Sequence, residues 1–95
     1  MNIHINDKAH AWYKEELDLK SGDYLRFFAR YGGSSTVQKG FSLGISNEEP
    51  HDLGVETTKD GIHYYIEKKD LWYFDDKDLF VEFNEKAEEP VFKHE

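Results

Sequence analysis

The sequence predicts a mainly β domain of the α+β class, and three observations support this prediction. Apolar and polar residues alternate with a period of two along most of the chain, whereas helical spacing is confined to two short stretches. Turn-forming Gly, Pro, Asn and Asp residues separate the alternating runs. Seven Phe, six Tyr and two Trp residues can fill the core of a single domain over residues 1–95 without a disulfide.

The N-terminal third is predicted to contain a strand, a helix and a longer strand. Ile3 and Ile5 alternate with polar residues in the short opening strand. Asp7 is then predicted to cap a helix that continues to about Leu17. The predicted apolar stripe of this helix comprises Ala9, Trp12, Tyr13 and Leu17.

From Tyr24 onward the pattern favours strands, with about six to seven expected in all. In the second strand, Gly32-Gly33 ends the alternation, and the two predicted faces are Leu25, Phe27, Ala29 and Tyr31 against Tyr24, Arg26, Phe28 and Arg30. A loop to about Lys39 follows. The inward residues of the next three strands are predicted to be Phe41, Leu43 and Ile45, then Leu53, Val55 and Thr57, then Ile62, Tyr64 and Ile66.

Turn and cap residues complete the predicted order. Lys59-Asp60-Gly61 is typical of a hairpin turn between the fourth and fifth strands. Asp70 is predicted to cap one or two helical turns over residues 71–74. A last long strand is expected to turn Leu79, Val81 and Phe83 inward. Residues 84–95 form a charged tail in which Val91 and Phe92 are expected to make a final pairing.

Composition excludes several classes of function. The net charge of −8 argues against nucleic acid, whose phosphates would be repelled. The start of the chain lacks a basic segment followed by an apolar run, and no stretch approaches the length of a membrane span, so a cytoplasmic protein without membrane contact is expected. Because the chain contains no Cys, it offers no disulfide, thiolate metal ligand or cysteine nucleophile.

The strand Leu25-Arg26-Phe27-Phe28-Ala29-Arg30, the Gly-Ser loop after it and the order of the elements together resemble the HesB-like, or A-type iron–sulphur carrier, family. The resemblance covers about residues 2–83. It implies a twisted β scaffold, a tendency to self-associate and an origin in iron–sulphur cluster assembly. In that family one cysteine in the loop and two in the C-terminal tail bind iron or a cluster.

The resemblance also shows which ligands are missing from this chain. It aligns Ser34 with the loop cysteine, and the tail over residues 88–95 contains nothing that matches the paired cysteines. Since a serine hydroxyl ionises far less readily than a thiol, it is not a stable ligand for cluster iron. We therefore expect no resident metal or other cofactor.

The candidate binding surface combines one face of the second strand with the loop that follows. Two arginines on one strand face are unusual in an acidic chain. They could bind an anion or an acidic partner, or they could form ion pairs within the fold with carboxylates such as Glu56, Glu67 or Glu82. The loop over residues 32–36 could also present N–H groups and hydroxyls to an anion. The candidate residues are Arg26, Phe28, Arg30, Gly32, Gly33, Ser34 and Ser35.

Two other sets of residues could form a metal site or an interface. His51 with Asp52, or His63 with Glu67, could bind a metal, but the second pair is separated by about 13 Å on an extended strand. Surface histidines are therefore the favoured interpretation. Aromatic residues of the two helices are predicted to be core, and exposure of any of them beside Phe28 or Phe80 would mark an interface. These residues are Trp12, Trp72, Tyr73 and Phe74.

The pattern predicts a non-enzymatic HesB-like domain that acts by binding a protein partner or by forming a homo-oligomer. One alternative is an iron or iron–sulphur carrier that uses non-cysteine or partner ligands. Another is a small anion-binding, ligand-binding or hydrolytic protein that uses the loop over residues 32–36. The sequence contains no recognisable pair of nucleophile and general base, which argues against hydrolysis.

Overall fold

The computed structural model describes residues 1–33 and 38–95, over which the chain forms seven strands, one α-helix and one 3₁₀ helix. The predicted α+β, mainly β class is confirmed. In chain order the elements are β1 (Ile3–Ile5), α1 (Asp7–Glu16), β2 (Tyr24–Tyr31), β3 (Phe41–Ser46), β4 (Leu53–Lys59), β5 (Ile62–Glu67), the 3₁₀ helix (Lys68–Phe74), β6 (Leu79–Asn84) and β7 (Glu89–His94).

The strands form two mixed sheets. One has four strands in the order β3-β2-β5-β4, and the other has three in the order β1-β6-β7. Pairing is parallel between β2 and β5 and between β1 and β6, and it is antiparallel elsewhere. β3 and β4 are thus the edge strands of the larger sheet.

The core lies where the two sheets and α1 meet. Phe27 of β2 is central to it, since its ring stacks on Tyr64 at 6.2 Å and meets Tyr13 and Phe92 edge-on at 6.2 and 5.8 Å. These rings hold together β2, β5, α1 and β7. They supply a large apolar area in a chain of only 95 residues. The core therefore fixes the position of β2, the strand that carries the candidate binding surface.

The helix α1 begins one residue earlier than predicted. Asn6, not Asp7, is the N-cap, and its Oδ1 accepts a hydrogen bond of 2.9 Å from the Ala9 N–H. Asp7 is the first helical residue instead. The helix also buries His10, which no pattern indicated, and its ring nitrogens lie 2.6 Å from the Tyr64 hydroxyl and 2.8 Å from an Asp60 carboxylate oxygen.

The predicted cap of the second helical segment is wrong. Glu67 occupies the N-cap of the 3₁₀ helix without a side-chain bond, and Asp70 lies buried inside the segment. Tyr73 and Phe74 are buried as predicted, but the Trp72 side chain is exposed. So short a helix packs only one face, and Asp70, Tyr73 and Phe74 occupy it.

Alternation along the strands is confirmed in the centre of the sheet and fails at its borders. Ile45 and Leu53 were predicted to face inward, but both are exposed because β3 and β4 are edge strands. Tyr31 is exposed as well, since it lies at the end of β2 and beyond the pairing with β5. The hairpin turn is confirmed, with positive φ at Asp60 and Gly61.

The charged tail forms a strand. β7 pairs with β6 over its whole length, and Phe92 lies opposite Val81. The predicted pairing of Val91 and Phe92 is therefore confirmed. Within the described part of the chain, no helix is long and apolar enough to cross a membrane.

Candidate functional site

Arg26 belongs to a partly buried ion cluster with Asp70 and Glu48 rather than to an open surface. Its Nη2 lies 2.7 Å from Asp70 Oδ2, and its Nη1 lies 3.2 Å from Glu48 Oε1. Burial alone would lower the pKa of the guanidinium, but these two carboxylates raise it above its ordinary value. Arg26 thus links β2 to the 3₁₀ helix, and its partners differ from the strand carboxylates that the sequence suggested.

Phe28 extends across the neighbouring strand towards the edge of the sheet. It lies opposite Gly44 of β3, and a Cβ added to Gly44 would come within 2.6 Å of the Phe28 ring. Only glycine leaves room for the ring in this position. The same ring lies 5.2 Å from the Arg26 guanidinium carbon. Phe28 therefore connects the partly buried ion cluster with the free edge of β3.

Arg30 is exposed two pairs further along the two strands, opposite Ser42. It forms no ion pair with any residue that the structure describes, in contrast to Arg26. Because Ser42 is small, the Arg30 side chain also meets little obstruction on its way to the edge. Of the two candidate arginines, Arg30 is the one available to a partner.

A groove of about 330 Å³ follows the edge of β3. Phe28 and Arg30 line it from β2, and Trp12 lines it from α1. Trp12 is partly buried against the core, so it does not meet the sequence criterion for an interface, which was an exposed ring beside Phe28. The remaining lining residues are Tyr13, Leu43, Gly44, Ile45, Glu89, Pro90 and Phe92.

An aromatic row with two exposed rings lies at the start of β3. The Phe41 ring lies 5.7 Å from Tyr31 and 5.1 Å from Trp72, with edge-to-face geometry in both pairs. Tyr31 is 87% exposed and Trp72 is 51% exposed. The sequence predicted that Trp72 is core and placed Tyr31 on the same strand face as Leu25 and Phe27. The available signal for exposure of Tyr31 is that it directly precedes two glycines.

Gly32 and Gly33 end β2 next to this row. Gly32 has a φ of 102°, and its N–H donates a 2.8 Å hydrogen bond to the Gly40 carbonyl. A Cβ on Gly33 would come within 2.9 Å of the Ser42 hydroxyl oxygen. Ser34 and Ser35, together with Thr36 of the predicted anion loop, lie outside the described residues.

The residues proposed as metal ligands do not come together as two ligand pairs. His51 and Asp52 donate backbone N–H bonds of 2.7 Å to the Glu67 carboxylate. Burial alone would raise the pKa of Glu67, but these donors hold it below its ordinary value. His63 lies 2.6 Å from Glu56 rather than near Glu67.

The donor set does not fit an iron–sulphur cluster. Clusters are held mainly by cysteine thiolates, and the chain has none. Within residues 1–33 and 38–95 there is also no group of three or more His, Cys, Asp or Glu side chains that could hold a metal ion. The tail in which the family resemblance would place paired cysteines is instead the hydrogen-bonded strand β7.

Comparison with known proteins gives both a family and relatives. The family model described as iron–sulphur cluster biosynthesis matches residues 1–95. A Bacillus subtilis (strain 168) protein named Pyruvate dehydrogenase inhibitor is 58% identical over 95 residues, which cover 100% of both chains. Uncharacterized proteins of Staphylococcus saprophyticus and Staphylococcus epidermidis are 41% and 40% identical, over 94% and 98% of both chains. No solved structure matches the chain significantly.

Proposed function

This chain belongs to the iron–sulphur cluster biosynthesis family, and we propose that it is a non-enzymatic, cytoplasmic inhibitor of pyruvate dehydrogenase that acts by binding the enzyme. The observation that carries the proposal is the 58% identity, over the full length of both chains, to the relative that bears that name. Cysteine ligands are missing, so the family's iron chemistry has no obvious donors here.

The aromatic row is the part of the described surface best suited to hold a protein partner. Tyr and Trp are enriched among the residues that dominate binding energy, because they bury large area with few rotatable bonds. Phe41 contacts both Tyr31 and Trp72, so a partner could cover the three rings together. Their side chains come from β2, β3 and the 3₁₀ helix, which are fixed by the core and by the Arg26 cluster.

Titration of the purified protein into pyruvate dehydrogenase from Bacillus subtilis tests the proposal. We expect pyruvate-dependent activity to fall saturably as the protein is added. Trp72→Ala is expected to weaken inhibition about 30-fold, which corresponds to about 2 kcal/mol for a central aromatic contact.

Leu53→Ala is the matched control, because Leu53 is also an exposed apolar residue but lies on β4, the opposite edge strand. It should leave inhibition nearly unchanged. Unaltered enzyme activity at saturating wild-type protein would refute the proposed function. Equal inhibition by Trp72→Ala and the wild type would refute the aromatic row as the binding surface while leaving the function in place.

A further inference from the structure

The free edge of β3 differs from the other strand edges of the described chain. β1 is only three residues long, and β7 carries Pro90 and charged residues. β4 contains Glu56 and has an irregular register next to Leu53. Such features normally prevent a sheet edge from pairing with another chain.

β3 has none of these protective features. Its six residues, Phe-Ser-Leu-Gly-Ile-Ser, include no charge and no proline. Its register with β2 is unbroken from Arg26–Ser46 to Tyr31–Phe41. A regular, uncharged edge of this length is a template for an additional strand.

The register also identifies which backbone groups face the free edge. Gly32 donates its N–H to the Gly40 carbonyl, and the same antiparallel register continues along β2 and β3. Hydrogen-bonded and non-hydrogen-bonded pairs alternate in such a ladder. Ser42 and Gly44 therefore bond to β2, whereas Leu43 and Ile45 direct their N–H and C=O groups outward.

Side chains on both faces of β3 would meet an added strand. On one face the small residues Ser42 and Gly44 let Arg30 and Phe28 reach the edge from β2. On the other face Ile45 is exposed beside Trp12, within the same groove. The aromatic row continues this surface, because Phe41 is the first residue of β3.

Charge favours a partner protein over a second copy of the chain. Two copies would each bring a net charge of −8, which opposes their association. Arg30, in contrast, is an exposed cation without an ion-pair partner among the described residues. A carboxylate on the added strand would match it.

We propose that the edge of β3 accepts an extended segment of pyruvate dehydrogenase as a fifth strand of the larger sheet. Main-chain hydrogen bonds form with Leu43 and Ile45, a carboxylate of the segment pairs with Arg30, and an apolar side chain fills the groove beside Trp12. The inference rests on the proposed function, since it names the part of this chain that binds the enzyme and the kind of segment that is bound.

Two substitutions at one position provide the test. Ile45→Pro removes an outward N–H while leaving the bonds between β2 and β3 intact, and proline is tolerated where the N–H of an edge strand faces solvent. Ile45→Ala removes the same side chain but keeps the N–H. Binding to purified pyruvate dehydrogenase should be at least about tenfold weaker for Ile45→Pro than for Ile45→Ala.

Arg30→Gln tests the carboxylate and should weaken binding about tenfold. Lys86→Gln is its control, because Lys86 is an exposed cation in the turn between β6 and β7. Hydrogen exchange is measured on the wild-type protein, so this test does not depend on whether a variant folds. In the complex, the amides of Leu43 and Ile45 should exchange at least about tenfold more slowly than in the free protein.

Each outcome separates the two proposals. Absence of binding by the wild type overturns the proposed function and this inference with it. Wild-type binding that Ile45→Pro retains, without slower exchange in β3, overturns only the added strand. A wild-type dimer in light scattering that Ile45→Pro abolishes would assign the edge to a second copy, and the inference would be wrong.

Discussion

Arg26 and Arg30 show how the same residue type acquires different roles four positions apart on one strand. Both share a face of β2, but the 3₁₀ helix packs against Arg26 and brings Asp70 to it. Asp70 also accepts a hydrogen bond of 3.4 Å from the Ala29 N–H. Arg26 is thereby fixed within the fold, while Arg30 lies beyond the reach of the cluster and stays open to a partner.

Asp70→Asn is expected to lower the free energy of unfolding by about 2 kcal/mol, because the partly buried Arg26 would keep only the exposed Glu48 as a charged partner. Chemical denaturation measures this change. Lys93→Ala serves as the control, since the pair between Lys93 and Glu82 is exposed and its loss should leave the free energy of unfolding nearly unchanged. Similar values for the two variants would show that the Arg26 cluster is not an important part of the fold.

At the level of elements, β2 and β3 pack together because large side chains on one face of β2 lie opposite small side chains of β3. β3 contributes Ser42, Gly44 and Ser46 to the face on which β2 carries Arg26, Phe28 and Arg30. Large residues of β2 therefore cover the backbone of β3 and reach its outer edge. The shape of the groove is a property of the strand pair rather than of either strand alone.

Gly44→Ala is expected to destabilise the protein by about 1–3 kcal/mol, because the new methyl group would overlap the Phe28 ring. Substitution in a Phe28→Ala background supplies the comparison. With the ring removed, Gly44→Ala should have a much smaller effect, and thermal or chemical unfolding of the four proteins measures the coupling. Equal effects in both backgrounds would mean that the ring does not restrict position 44.

For the molecule as a whole, the sequence predicts which residues share a face more reliably than it predicts what covers that face. Period-two alternation placed Leu25 and Phe27 in the core correctly, because β2 lies inside its sheet. It failed for Ile45, because the position of a strand within a sheet depends on pairings between distant segments. Local turn chemistry was more dependable, as the Asp60-Gly61 turn shows.

The candidate site was predicted in part for the same reason. Phe28 and Arg30 were predicted from the sequence and do line the groove, but Arg26 is held in the partly buried ion cluster. The contacts of Phe41 with Tyr31 and with Trp72 join two consecutive strands to a helix that is distant in the chain. No local pattern reports such a contact, so the aromatic row became evident only in the folded chain.

The composition of the whole chain leads to a prediction about iron. After anaerobic reconstitution with iron and sulphide, followed by desalting, the protein is expected to be colourless and to hold less than stoichiometric iron. Cluster iron requires thiolates, which the chain lacks, and the loosely held cations that a net charge of −8 attracts are removed by desalting.

Absorption spectra and iron quantification before and after desalting provide the measurement, and a chelator wash controls for surface-bound metal. Stoichiometric iron with a charge-transfer band after the wash would contradict the prediction and revive the carrier interpretation with non-cysteine ligands. His51→Ala and His63→Ala would then identify those ligands. Loss of iron in one variant but not the other would locate the site, whereas the inhibitor proposal requires neither histidine to bind metal.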